Sequence, residues 1–357
     1  MRLLAAVLSI VLAHTAVADS STEFREAGSL AMQADMQAAL PHLAAVNAMD
    51  LSDAQRAIWT CMRERFAENK APKLPPSIEP FTAKVLLAYR DYWTRVMLGK
   101  QSAAQGESEL AVALGKLLDT GDGKAGGGKT VPLKGAASKS AVMQMDALEP
   151  LLQKQLEQRG YHALFGVTSP LREFMAWRKQ DDANYTVELP DGAQTVHVVF
   201  MDDFVSLGWL GYATCDYRHS GGWAKTDRLF AVRSAYDLDS ESFRVSYLAH
   251  EGQHFADYLH HPGLEQADLE YRAKLVEIAR AQSTLYELLD AFSTDGGDSR
   301  EQPHPWANRR VATQLAAALL HGEAPTLQAW QRVPIEQLHA AALRLLAADS
   351  RHRDAAK

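Results

Sequence analysis

Apolar residues recur at three- and four-residue spacing through residues 21–118, the periodicity of helices that bury one face. Phe81, Val85, Leu86, Tyr89, Tyr92, Trp93, Val96 and Met97 make one such stripe, which reads as core rather than as a binding surface. Pro72, Pro75, Pro76 and Pro80 interrupt the helices ahead of it. A further helix is expected over residues 141–159. The pattern then changes. Thr195-Val196-His197-Val198-Val199-Phe200-Met201 is a β-branched run of strand character, and Leu229-Phe230-Ala231-Val232 is a second. Between them lies a Gly- and aromatic-rich stretch containing Trp209, Tyr212, Tyr217, Gly221, Gly222 and Trp223. From Asp239 onward the helical spacing returns and persists. Helices, a small sheet and more helices predict a predominantly helical α+β fold.

Composition marks the expected divisions. Gly121, Gly123, Gly126, Gly127 and Gly128 lie among lysines and small residues, so residues 120–140 read as a linker or surface loop between a helical region, 19–119, and a second domain, 141–357. Residues 123–130 match the phosphate-binding pattern G-x-x-x-x-G-K-[ST], but that mechanism needs a strand before the loop and a helix after it. A helical segment precedes this match and Pro132 follows it, so nucleotide binding is not expected. At the other end, Arg2, the apolar run 3–12 and Ala16-Val17-Ala18 have the form of a secretory signal peptide over residues 1–18, which predicts a periplasmic or secreted bacterial protein. No later segment reaches the roughly 18 uninterrupted apolar residues of a membrane helix. The net charge of −7 disfavours nucleic acid as a partner. Cys61 and Cys215 are the only cysteines, and both a disulfide and two buried thiols remain open.

Candidate chemistry centres on His250-Glu251-Gly252-Gln253-His254. On a helix, residues i and i+4 share one face, so two imidazoles can reach one ion. Glu251 flanks that ion without ligating it and is placed to take a proton from an activated water. Asp239 or Ser240 can cap the helix, and the residues beside the motif are uncharged. Pro262-Gly263 ends it, and a second amphipathic helix begins near Leu264. Glu270 lies at the edge of that helix's apolar arc and Glu265 well outside it, so Glu270 is the preferred third ligand.

The motif resembles that of the zincin metallopeptidases. His260 stands where metzincins place a third histidine, but Asp257 replaces their glycine and no methionine follows residue 201. Glu270-Tyr271-Arg272-Ala273 looks like the ligand helix of the gluzincins, in which a glutamate completes the site. That resemblance implies Zn²⁺ on His250, His254 and Glu270, Glu251 as general base and acid, and a peptide or protein substrate. Lys274 stands where some gluzincins carry an aspartate, which leaves Asp257 and Asp268 as candidates to orient a ligand. His304 is the first candidate to stabilise the oxyanion, with Tyr258 and Tyr271 as alternatives, and either strand run could pair with extended substrate. The competing reading is a non-catalytic metal-binding or scaffold protein of the cell envelope.

Overall fold

The computed structural model describes residues 19–119, 139–190, 192–225 and 228–355. The expected signal segment, residues 120–138 of the expected linker and the 123–130 pattern lie outside them. Helices α1 (Ser20–Met32), α2 (Met36–Ala45), α3 (Asp53–Met62), α4 (Pro80–Met97) and α5 (Ala103–Asp119) occupy the first periodic region. Local chemistry sets several boundaries. Ser52 and Gln55 close a capping box at α3, while the Glu79 carboxylate accepts from the Thr82 N–H and Pro80 takes the first helical position of α4. The chain continues through α6 (Lys139–Glu157), β1 (His162–Thr168), β2 (Leu171–Leu189), β3 (Gly192–Leu207), α7 (Gly208–Thr214), β4 (Gly222–Ala224) and β5 (Leu229–Val232). A π-helical segment, Phe243–Ala249, runs directly into α8 (His250–His260). Then follow α9 (Gln266–Arg280), α10 (Leu285–Thr294), α11 (Pro303–Leu319), α12 (Leu327–Gln331) and α13 (Ile335–Ala355). The architecture is α+β, as the pattern predicts.

The five strands form one sheet in the order β1-β2-β3-β5-β4. β3 and β5 are parallel, with Val198 opposite Leu229 and Met201 opposite Val232; β4 is antiparallel to β5, with Trp223 opposite Phe230. Both strands expected to receive substrate are therefore interior. The outermost strand on that side is β4, which belongs to the Gly-rich stretch that carries no strand signal. Gly222 is required there, because a Cβ would collide with the Phe230 carbonyl oxygen and the Tyr247 ring.

The chain divides into two compact units, and β2 and β3 supply residues to both. The first unit comprises Met1–Ala176 and Val205–His219. Its core includes nearly all of the expected stripe: Phe81, Val85, Leu86, Tyr89, Tyr92, Trp93 and Met97 are buried. Tyr89 stacks on Phe174 with centroids 4.9 Å apart, and Trp93 lies 5.5 Å from Tyr212. Cys61 and Cys215 form a disulfide with a Cα–Cα distance of 6.3 Å, which settles the open alternative. The second unit comprises Trp177–Phe204 and Ser220–Lys357. This division differs from a single break at 120–140, because α6, β1 and the returning segment at 205–219 belong with the N-terminal helices. In the second unit, α9 is the central helix: Leu275, Val276 and Ile278 are fully buried in a core shared with Phe200, Phe243 and Trp330. Among the described residues no helix is long and apolar enough to cross a membrane.

Candidate metal centre

Helix α8 packs closely on β2: at Gly252 an added Cβ would lie 3.4 Å from Val187 Cγ1. His250 and His254, one turn apart, present their Nε2 atoms to each other at 3.1 Å, with the rings nearly perpendicular. Glu270 arrives from α9. Its Oε2 lies 3.4 Å from His250 Nε2 and its Oε1 lies 3.4 Å from His254 Nε2. All three side chains are buried, their ligand atoms lie within 4.8 Å of one another, and the group could hold a metal ion.

The surroundings prepare this set. Glu277, two turns beyond Glu270 on α9, has Oε1 2.6 Å from His250 Nδ1. A carboxylate there accepts a hydrogen bond from Nδ1–H, which leaves Nε2 as the nitrogen that would meet an ion at the cluster. Two buried polar atoms have no hydrogen-bond partner, His254 Nδ1 and Glu270 Oε2. His304 Nδ1 approaches that carboxylate oxygen to 2.8 Å without the alignment of a hydrogen bond. Buried polar atoms are normally satisfied, and three converging Lewis bases with an orphaned oxygen fit a divalent cation. Two imidazoles and one carboxylate are a donor set suited to borderline transition ions.

Electrostatics agree. Burial opposes a charged His250, yet the carboxylates of Glu277, Glu270 and Glu251 outweigh it and lift the ring to about 10. Burial alone would raise Glu270 and Glu277, but the histidine rings outweigh it and hold both below the usual carboxylate range. The field at the cluster therefore favours positive charge. Glu251 flanks it, half-buried. Burial first, and then the negative charge of Glu251, push the phenols of Tyr236, Tyr247 and Tyr258 upward.

The structure brings together His250, His254, Glu270 and, from the start of α11, His304. Other candidates go elsewhere. Glu265 immediately precedes α9, 74% exposed and paired with Arg300 at 2.7 Å. His260 lines a cavity of about 580 Å³ on a different face of α8, with Gln253, Asp257 and Arg272, rather than the cluster. The Tyr271 hydroxyl donates to Gln314, and its ring lies under Arg310. Neither expected orienting aspartate reaches a ligand: Asp257 accepts from Gln253 and Arg272, and Asp268 pairs with Arg300 and Arg353. Glu277 takes that place. The available signal was its seven-residue offset from Glu270, which returns to the same helix face. Lys274 instead lies 4.6 Å over the Phe292 ring.

No family model matches this chain, and neither does any curated protein or solved structure.

Proposed function

We propose that this protein is an exported zinc-dependent hydrolase that cleaves peptide bonds, a peptidase of gluzincin-like design. The observation that carries the reading is the buried convergence of His250 Nε2, His254 Nε2 and the Glu270 carboxylate, with Glu277 against His250 Nδ1. His250, His254 and Glu270 would hold the zinc, which would supply a Lewis acid for the carbonyl and for water near neutral pH. Glu251, beside the ligands and not among them, takes the proton of the attacking water and delivers it to the departing amine. His304, 67% exposed at the rim, is the candidate donor to the developing oxyanion. Substrate in extended form would add to the outer edge of β4 by main-chain hydrogen bonds. The disulfide supports export, since such bonds persist in oxidising compartments.

The test combines metal content and turnover. Wild-type protein supplied with zinc should retain about one ion per chain. Glu270→Gln should retain it markedly less. Glu251→Gln should keep the ion while cleavage of a peptide library falls by about 10²–10⁴-fold. Full activity in Glu251→Gln, free of contaminating protease, sinks the mechanism. A wild-type protein that holds no zinc removes the enzyme reading and leaves a scaffold.

A further inference from the structure

The first unit contains a cavity of about 270 Å³ bounded by α1, α3 and the segment at the end of α7. Phe24, Met32, Ile58, Met62 and Tyr217 give it apolar walls. Met32 and Tyr217 are 44% and 53% exposed, so apolar surface continues to the mouth. Two cations line it, Arg25 and Arg218, and no carboxylate does. Arg25 donates to Thr22 Oγ1 at 3.1 Å and Arg218 lies 4.7 Å over the Tyr217 ring. Neither is ion-paired with a carboxylate among the described residues.

Two further observations distinguish this cavity from an incidental gap. Gly28 stands in the interior of α1, where glycine costs about 1 kcal/mol relative to alanine. Nothing lies within 4 Å of the position its Cβ would take, so packing does not require the missing side chain. What the glycine leaves is room in the cavity. The disulfide also ties two of the walls together. Cys61 falls between Ile58 and Met62 on α3, and Cys215 falls between Thr214 and Tyr217. A cross-linked wall, a side chain omitted from a helix and an unopposed pair of arginines describe a preformed pocket. Its volume lies just under the range of about 300–1,000 Å³ for drug-sized ligands, which limits the occupant to a small one.

We propose that this cavity binds a small anionic amphiphile, an apolar chain or ring ending in a single acid group. The apolar part fills the space beside Gly28, and the acid meets Arg25 and Arg218. The inference is independent of the metal centre.

The experiment uses the full chain with its disulfide intact. Binding of 1-anilinonaphthalene-8-sulfonate is followed by fluorescence and competed with decanoate, decanol and decylamine. Saturable binding displaced by decanoate is expected, with decanol weaker and decylamine weakest. Gly28→Leu places a good helix former in the cavity, so it should keep or raise the thermal midpoint while weakening decanoate by about tenfold or more. Arg25→Ala with Arg218→Ala should weaken decanoate by about tenfold and leave decanol unchanged. Binding that survives Gly28→Leu, competition by decylamine equal to that by decanoate, or no saturable binding to the wild type each overturns the proposal.

Discussion

Arg172 in the first unit and Glu270 in the second are both buried ions, each 3% exposed at the side chain, but their surroundings differ. Arg172 is enclosed by carboxylates: Nε meets Glu107 at 3.2 Å, and Nη1 meets Asp146 and Glu149 at 3.3 Å. Its backbone is used as well, since the N–H donates to the Tyr92 hydroxyl and the carbonyl accepts from Trp93 Nε1. Glu270 is enclosed by imidazoles, yet one of its oxygens has no donor, and a neighbouring imidazole nitrogen is equally unmatched. A saturated ion holds elements together. An unsaturated one holds a place for something else. The comparison teaches that burial of charge does not by itself mark a site; convergence of several Lewis bases on one point is the distinguishing feature.

Four changes test this contrast, beginning with the largest. Arg172→Met strands Glu107 and Glu149, both mostly buried, and should cost about 3–5 kcal/mol in urea unfolding while leaving metal retention unchanged. A loss below about 1 kcal/mol would mean that the carboxylates turn to solvent and the clamp is weak.

Glu173 is the next residue along and has a different kind of environment. It is 6% exposed and accepts N–H groups from Phe174 and Trp209. Burial outweighs those bonds and raises its carboxyl to about 7. Because the folded value lies above the unfolded one, its contribution is fully present below about 4.5 and is lost as pH rises through about 7. Against Glu173→Gln, which has no such slope, the wild type should lose up to about 3 kcal/mol across that window. Parallel pH profiles for the two proteins would remove Glu173 as the cause.

In the second unit, Glu277→Gln should weaken metal affinity by about 10–100-fold, measured by competition with a chelator, because His250 exchanges a charged acceptor for a neutral one. Unchanged affinity would mean that α8 alone fixes the ring. The smallest effect belongs to Glu265→Gln. Its exposed pair with Arg300 is worth about 0–1 kcal/mol, and metal affinity should not move. Weaker zinc retention in that variant would return Glu265 to the ligand set.

The buried cluster was legible because helix geometry fixes its members locally. Five residues of sequence dictate that His250 and His254 share a face, and the apolar arc of α9 selects Glu270 over Glu265. Glu277 obeys the same geometry two turns on, whereas the position four residues after Glu270 holds Lys274, which cannot accept from a histidine. The strands were less legible. β2 begins with seven consecutive buried residues, Arg172 and Glu173 among them, so neither alternation nor apolarity marks it. β4 has Gly222 where a β-former would be expected, for a steric reason that only the packed neighbours reveal. Nothing local announces that Tyr212 returns to Trp93, or that Cys61 finds Cys215. Those are facts of tertiary packing, and they decide where one unit ends and the other begins.

The return of residues 205–219 also bears on the order of synthesis. Helices α1 to α6 leave the ribosome first, but their unit cannot be finished until residues 205–219 have followed. Cys61 waits for a partner 154 residues downstream. Meanwhile residues 177–204, which belong to the other unit, have already emerged. Until α7 follows, Trp93 lacks Tyr212 and Cys61 lacks Cys215, and it is α7, past the midpoint of the chain, that completes the N-terminal helices.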